Sequence, residues 1–204
     1  MCVVDWGLIA DWITALTGIA VLIVAIYGLR TWREQLQGTT RHATAHEVAT
    51  AARALKYAFY AARSPMIDGW EFPETYWRRG VSASRSHDEE ADAYQHVYQN
   101  RLKELWPYLR GLLDLRPKCG AVLGDDAAQG IHNLVAKARE LQYYMQERVA
   151  ELRAGPAVVA KWSDQAFVQK VRASVVVSTP PNDTYSHEFE TALSSVLEQL
   201  KPHQ

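Results

Sequence analysis

The sequence predicts an all-α protein: one N-terminal transmembrane helix plus a cytoplasmic antiparallel helical bundle. Two observations carry this prediction. The run Trp12–Leu29, WITALTGIAVLIVAIYGL, holds no charged residue and no proline. Beyond it, apolar residues recur at spacings of three and four in separate stretches, the period of a helix with one buried face.

From Leu8 to Leu29 the apolar run is interrupted only by Asp11. At 1.5 Å per residue it makes a helix roughly 33 Å long, enough for a hydrocarbon core of about 30 Å. Trp12, Leu16, Ile19, Leu22, Ile23, Ile26 and Leu29 supply its anchoring surface. A cleaved signal peptide starts with basic residues and ends at a small-residue site. Here Asp5 and Asp11 are the only charges before Arg30, and RTWREQ follows the run. A buried soluble helix does not call for an unbroken apolar run of this length. Orientation follows from charge: Arg30, Arg33 and Arg41 flank the C-terminal end, and no Lys or Arg flanks the other. The basic side stays in the cytoplasm, so the N-terminus is expected outside. Trp6 and Trp12 at one end, and Tyr27 and Trp32 at the other, suit the two interfaces. The expected division is residues 1–32 as anchor and 33–204 as cytoplasmic helical domain.

The remainder after the anchor is of one-domain size. A formal net charge of −1 lacks the basic footprint of a nucleic-acid binder. Cys2 and Cys119 fall on opposite sides of the membrane in this topology, so no disulfide joins them, and two lone cysteines give no metal-site spacing.

In chain order, Ala45, Val48, Ala52, Leu55, Phe59 and Ala62 form the first stripe after a weak point at Gly38-Thr39-Thr40. Pro65 predicts that this helix stops at Ser64. Met66 to Arg85 reads as an aromatic-rich connection. Its Trp70, Phe72, Tyr76 and Trp77 form either an exposed partner patch or, the preferred reading, a loop pinned by its own rings. Ser86 with Glu89 makes a capping box that opens the next helix. That helix carries Ala91, Tyr94, Tyr98, Leu102, Leu105, Leu109 and Leu112, is kinked by Pro107, and is expected to end at Arg116-Pro117. Asp125 or Asp126 is expected to cap a third helix, with Ile131, Leu134, Ala138, Leu141, Met145, Val149 and Leu152 on one face and a stop at Gly155-Pro156. Gln165–Lys170 suits a helix, and Val175-Val176-Val177 an extended segment. Thr179-Pro180-Pro181-Asn182-Asp183 marks a break. Phe189, Leu193, Val196 and Leu200 then define a last helix that stops before Pro202.

The chemical candidates are sparse. Arg41 and His46 match the R-x4-H spacing of HEPN-type ribonucleases, in which the two side chains act on RNA. His42 and His46, four apart, share a face, but two ligands do not complete a metal site. Glu89, Asp92 and His96 also share a face; acids in a first turn answer the helix dipole without any chemistry. No nucleophile elbow, phosphate loop or zinc motif occurs, so no catalytic, cofactor or metal residue is assigned. Thr14-x-x-x-Gly18 is a small-xxx-small spacing that lets two apolar helices approach, and predicts self-association.

The anchor, the element Trp32-Arg33-x-Gln35-Leu36-x-Gly38, the helix ending Arg63-Ser64-Pro65 and the closing Leu200-Lys201-Pro202-His203 resemble a set of bacterial single-pass inner-membrane proteins. The resemblance implies an inner-membrane location and no particular activity. In architecture alone the chain is also similar to membrane effectors of bacterial defence systems, which assemble into oligomeric pores. The function expected is a membrane-anchored interaction and assembly module. Its partners are the lipid bilayer, a second copy and an unidentified protein. The pore effector and the HEPN-like ribonuclease are the alternatives.

Overall fold

A computed structural model describes residues 6–78, 85–155, 164–177 and 183–203. Among them every regular element is helical. The α-helices in chain order are α1 (Trp6–Ala62), α2 (Glu74–Trp77), α3 (His87–Leu123), α4 (Asp125–Ala154), α5 (Gln165–Val175) and α6 (Thr184–Leu200). Short 3-10 turns span Gly69–Glu71 and Lys201–His203. The side chains of Thr14 and Trp77 and the break at Thr179–Asn182 lie outside the described residues.

The chain divides into two compact units, Met1–Ala43 and Thr44–Gln204. In the first, residues 16–43 of α1 are exposed at every position. Leu16, Ile19, Leu22, Ile23, Ile26 and Leu29 are among the exposed large apolar side chains, as is Trp12. This one helix is long and apolar enough to cross a membrane. The compact second unit begins at Thr44, whereas the apolar run ends at Leu29; the helical residues between belong to neither the run nor the core.

The second unit is a helical bundle built on one core. The first stripe is buried at every expected position, from Ala45 to Ala62. Those of α3 and α4 are buried except at Tyr94, Leu102 and Leu152, which are half-buried. α3 and α4 run antiparallel: Arg153, near the end of α4, reaches Asp92 and Gln95 in the first turns of α3. α1 and α3 do the same, with Lys118 on Glu47 at one end and Arg101 on the Ala62 and Ser64 carbonyls at the other. α6 closes the bundle through Phe189, stacked on Phe59 with ring centroids 3.9 Å apart. Its phase, Phe189, Leu193, Val196 and Leu200, is buried throughout, and it ends before Pro202 as the sequence predicts.

Three element boundaries differ from expectation. α3 does not end at Arg116-Pro117; it continues to Leu123 with Pro107 and Pro117 inside it. Both prolines lie on the exposed face, where water can satisfy the carbonyls they free, while Leu112 and Cys119 keep the opposite face buried. Neither Asp125 nor Asp126 is the cap of α4. Both lie in its first turn, where their charge complements the helix dipole, and the capping position is Gly124 at φ 108°, ψ 166°, backbone that glycine alone adopts readily. The valine triplet is split: Val175 ends α5, and Val176 is extended at φ −122°, ψ 136°. The first stripe's helix stops at Ala62 rather than Ser64, a difference within ordinary fraying. The capping box holds, with Ser86 Oγ accepting from the Glu89 N–H and the Glu89 carboxylate accepting from the Ser86 N–H, each at 3.2 Å.

Candidate functional site: two buried arginines and an aromatic strap

Two arginines sit in apolar phase and are buried. Arg63 has no exposed surface, and the Asp183 side chain it meets is only 4% exposed. Its Nη2 donates to Asp183 Oδ1 at 2.9 Å, to the Ala173 carbonyl at 2.9 Å and to the Val176 carbonyl at 3.1 Å. Its Nε donates to the Ser174 carbonyl at 2.7 Å, and Nη1 reaches Ser186 Oγ. The guanidinium therefore takes up carbonyls that α5 leaves free at its C-terminus, the negative end of its dipole. Asp183 in turn caps α6, accepting from the Ser186 N–H at 2.9 Å. One ion pair thus fastens the end of α5 to the start of α6. The Val177 N–H closes the arrangement by donating to the Arg63 carbonyl at 2.9 Å. The Phe59 and Tyr185 rings lie 5.3 and 5.0 Å from the Arg63 guanidinium carbon.

Arg101 does the equivalent work at the end of α1. It donates to the Ser64 carbonyl at 2.7 Å and the Met66 carbonyl at 2.6 Å. It also grips Glu71 bidentately, at 2.6 and 2.8 Å. The Glu71 carboxyl is held below the usual glutamate range, chiefly by this guanidinium; burial opposes the effect and the Asp68 N–H adds to it. Residues 64–71 are therefore strapped onto α3 by one side chain.

Of the four predicted aromatics, the three whose side chains are described separate. Phe72 is half-buried, stacks on Tyr76 at 4.7 Å and meets the Tyr94 ring edge-on at 5.6 Å. The Arg85 guanidinium covers Tyr76 at 3.9 Å. These two rings pin the segment to the bundle. Trp70 does not join them: it is 76% exposed, as is Met66 beside the Arg101 clamp.

The other candidates are scattered. Arg41 and His46 are both exposed, as is His42. Glu89 caps α3, Asp92 pairs with Arg153, and the His96 ring lies 3.0 Å from the Asn100 amide nitrogen. Among the described residues no three His, Cys, Asp or Glu side chains cluster as a metal site would require. At Gly18 an added Cβ would meet nothing within 4 Å. Arg30 is exposed and bonded to Glu34 one turn on, and Arg33 is exposed.

Sequence reasoning missed Arg63, Arg101, Glu71 and Asp183. The signal for the arginines was present. Arg63 lies four residues after Phe59, and Arg101 lies between Tyr98 and Leu105, each on the buried stripe. A charge in that phase demands a partner. The partners are remote in sequence, so nothing local identified them. Compared with known proteins, the chain matches no family model, no curated protein and no solved structure.

Proposed function

We propose that this chain is a single-pass inner-membrane protein with its N-terminus outside, whose cytoplasmic helical domain is an interaction and assembly module. The observation that carries the reading is the contrast within α1. Residues 16–43 bury nothing, although the first half of that stretch is almost wholly apolar, while residues from Thr44 onward build a continuous core. An apolar surface of that size exposed in water is strongly unfavourable, and a bilayer removes the penalty. Arg30 and Arg33 at its C-terminal end set the orientation by the positive-inside rule. The bundle offers an exposed Trp70 on a braced strap, a feature of interaction surfaces. Self-association through the anchor, at Thr14 and Gly18, belongs to the same reading: the open space around Gly18 leaves its close approach available to a second copy.

The test is fractionation of the full chain. The wild type should stay in the membrane pellet through alkaline carbonate extraction. Ile19→Arg with Ile23→Arg should shift it towards the soluble fraction, since each arginine at mid-span costs about 2.5–3.5 kcal/mol of insertion. A wild-type chain recovered as soluble protein overturns the reading.

A further inference from the structure

We infer that the stalk of α1 between anchor and bundle pairs with the stalk of a second copy as a parallel coiled coil, continuous with the contact at Gly18. This rests on the membrane and assembly reading above and extends its contact into water. From Arg30 to Ala43 the chain is helical and exposed at every position. Trp32 and Leu36 there are 60% and 48% exposed. A lone helix of about 12–15 residues is marginal in water. Gly38-Thr39-Thr40 lowers its propensity further. A helix that persists here calls for a partner along its side.

The spacing of its residues says what kind of partner. Trp32, Leu36, Thr39 and Ala43 follow one another at intervals of four, three and four. The same alternation runs back through Leu29, Ala25, Leu22 and Gly18 without a break or a charge. This is a heptad repeat, the seam of a coiled coil. A straight helix drifts by about 20° per heptad from such a repeat. A seam kept over this length therefore follows another long helix that supercoils with it. The charges stand off the seam: Arg30 and Glu34 pair with each other at 3.1 Å on the outer face, where Arg41 also falls. Thr39 is no obstacle, because its hydroxyl already donates to the Leu36 carbonyl at 3.0 Å. The positions that carry the repeat on into the bundle, His46, Thr50 and Arg53, are exposed, so the core does not take this face of α1.

The seam also selects a second copy. It crosses from the apolar run into the polar stalk, so its partner helix must leave the bilayer at the same level and in the same direction. Two copies inserted the same way meet that condition by construction: they stand parallel and in register, each seam residue beside its own counterpart. Composition along the seam follows the solvent. In the apolar run Gly18 and Ala25 let two backbones approach, which association in lipid requires. Beyond Arg30 the seam carries Trp32 and Leu36, whose burial in water drives pairing. In a parallel pair Arg33 flanks the seam opposite Gly28, so no two cations face each other. A soluble helix, or an antiparallel one, could use only half of this surface.

The test is a cysteine scan of the stalk in the full chain carrying Cys2→Ser. Two differently tagged forms are co-expressed and oxidised in native membranes with copper phenanthroline. Leu36→Cys, Thr39→Cys and Ala43→Cys should each give a disulfide product that carries both tags. Glu34→Cys, Gln37→Cys and Arg41→Cys, on the outer face, should give less by about fivefold or more, since a disulfide needs Cβ atoms within about 4.5 Å. Adding Leu36→Glu to Thr39→Cys should lower its yield by more than about tenfold, with the thermal melt and the carbonate-resistant fraction unchanged. Equal yields at seam and outer positions overturn the inference. So does a peak on another face, a product with a different protein instead of the two-tag product, no product, or a yield that ignores Leu36→Glu. Each of these failures is read on chain retained in the carbonate-resistant pellet; a chain lost from that pellet overturns the membrane reading, and this inference with it.

Discussion

Arg63 is the residue on which the second half of the bundle turns. Its guanidinium satisfies three carbonyls at the end of α5 and the Asp183 carboxylate that caps α6. Removing it takes the charge-assisted partner from that buried carboxylate and from the carbonyls, and breaking a buried ion pair destabilises by about 3–5 kcal/mol. Arg63→Met should therefore lower the melting temperature of the detergent-solubilised chain by roughly 10 °C. Arg63→Lys keeps the charge but not the planar fork, and should recover only part of the loss. A melt for Arg63→Met within about 1 °C of wild type would show that the pair contributes nothing.

Glu71 makes a pH prediction at the same scale. Its folded carboxyl is depressed, chiefly by Arg101, so its contribution to the strap is complete above the ordinary glutamate value of about 4.3. That contribution is lost as pH falls through the lower, folded value. Amide exchange in residues 66–72, corrected for intrinsic rates, should stay protected from pH 7 to about 5 and open below about 4. Glu71→Gln should open the strap already at pH 7 and abolish the acid step. Equal protection in Glu71→Gln and wild type at pH 7 would remove Glu71 from the clamp.

At the scale of elements, the apolar stripes were legible because period 3.6 is written directly in the positions of the apolar residues. Leu141 is the plainest case: it lies mid-stripe on α4 and is fully buried. Leu141→Ala should destabilise the bundle by about 2–5 kcal/mol in denaturant titration, and a loss under about 1 kcal/mol would contradict the packing. What was not legible was how each helix ends. Pro117 reads locally as a stop, yet α3 passes through it because Cys119 beyond it is still core. Local breakers carry a few kcal/mol at most, and burial of a whole helix face outweighs them. Asp125 and Asp126 misled for a related reason: Gly124 alone reaches φ 108°, so the turn takes place one residue earlier than a side-chain cap would place it. The aromatic connection was half legible. Phe72 and Tyr76 pin the loop as expected, but the charge that straps it down, Arg101, lies some thirty residues away in sequence.

At the scale of the whole molecule, the chain joins a stretch of α1 that buries nothing, residues 16–43, to a bundle that buries nearly every in-phase position. In the proposed assembly the anchor supplies a contact between copies, which mutation tests. Gly18→Leu should lower the oligomer mass measured in mild detergent, whereas Ile23→Leu should not. Because a Cβ at Gly18 meets nothing within 4 Å of its own chain, a loss there reports on contacts with another copy. Unchanged mass in Gly18→Leu would remove Gly18 from the contact, and a strictly monomeric wild type, also monomeric by crosslinking in membranes, would end the assembly reading.

The central proposal is a membrane crossing with the N-terminus outside and the bundle inside, and cysteine labelling of intact cells tests it most directly. Cys119 cannot serve as the inner reporter, because it is fully buried and its thiol pKa is raised by that burial. Ser195, exposed on α6, takes its place as Ser195→Cys. With a membrane-impermeant maleimide, Cys2 should react in intact cells, and the Ser195→Cys thiol should react only after the membrane is opened. Labelling of the Ser195→Cys thiol in intact cells would contradict the account.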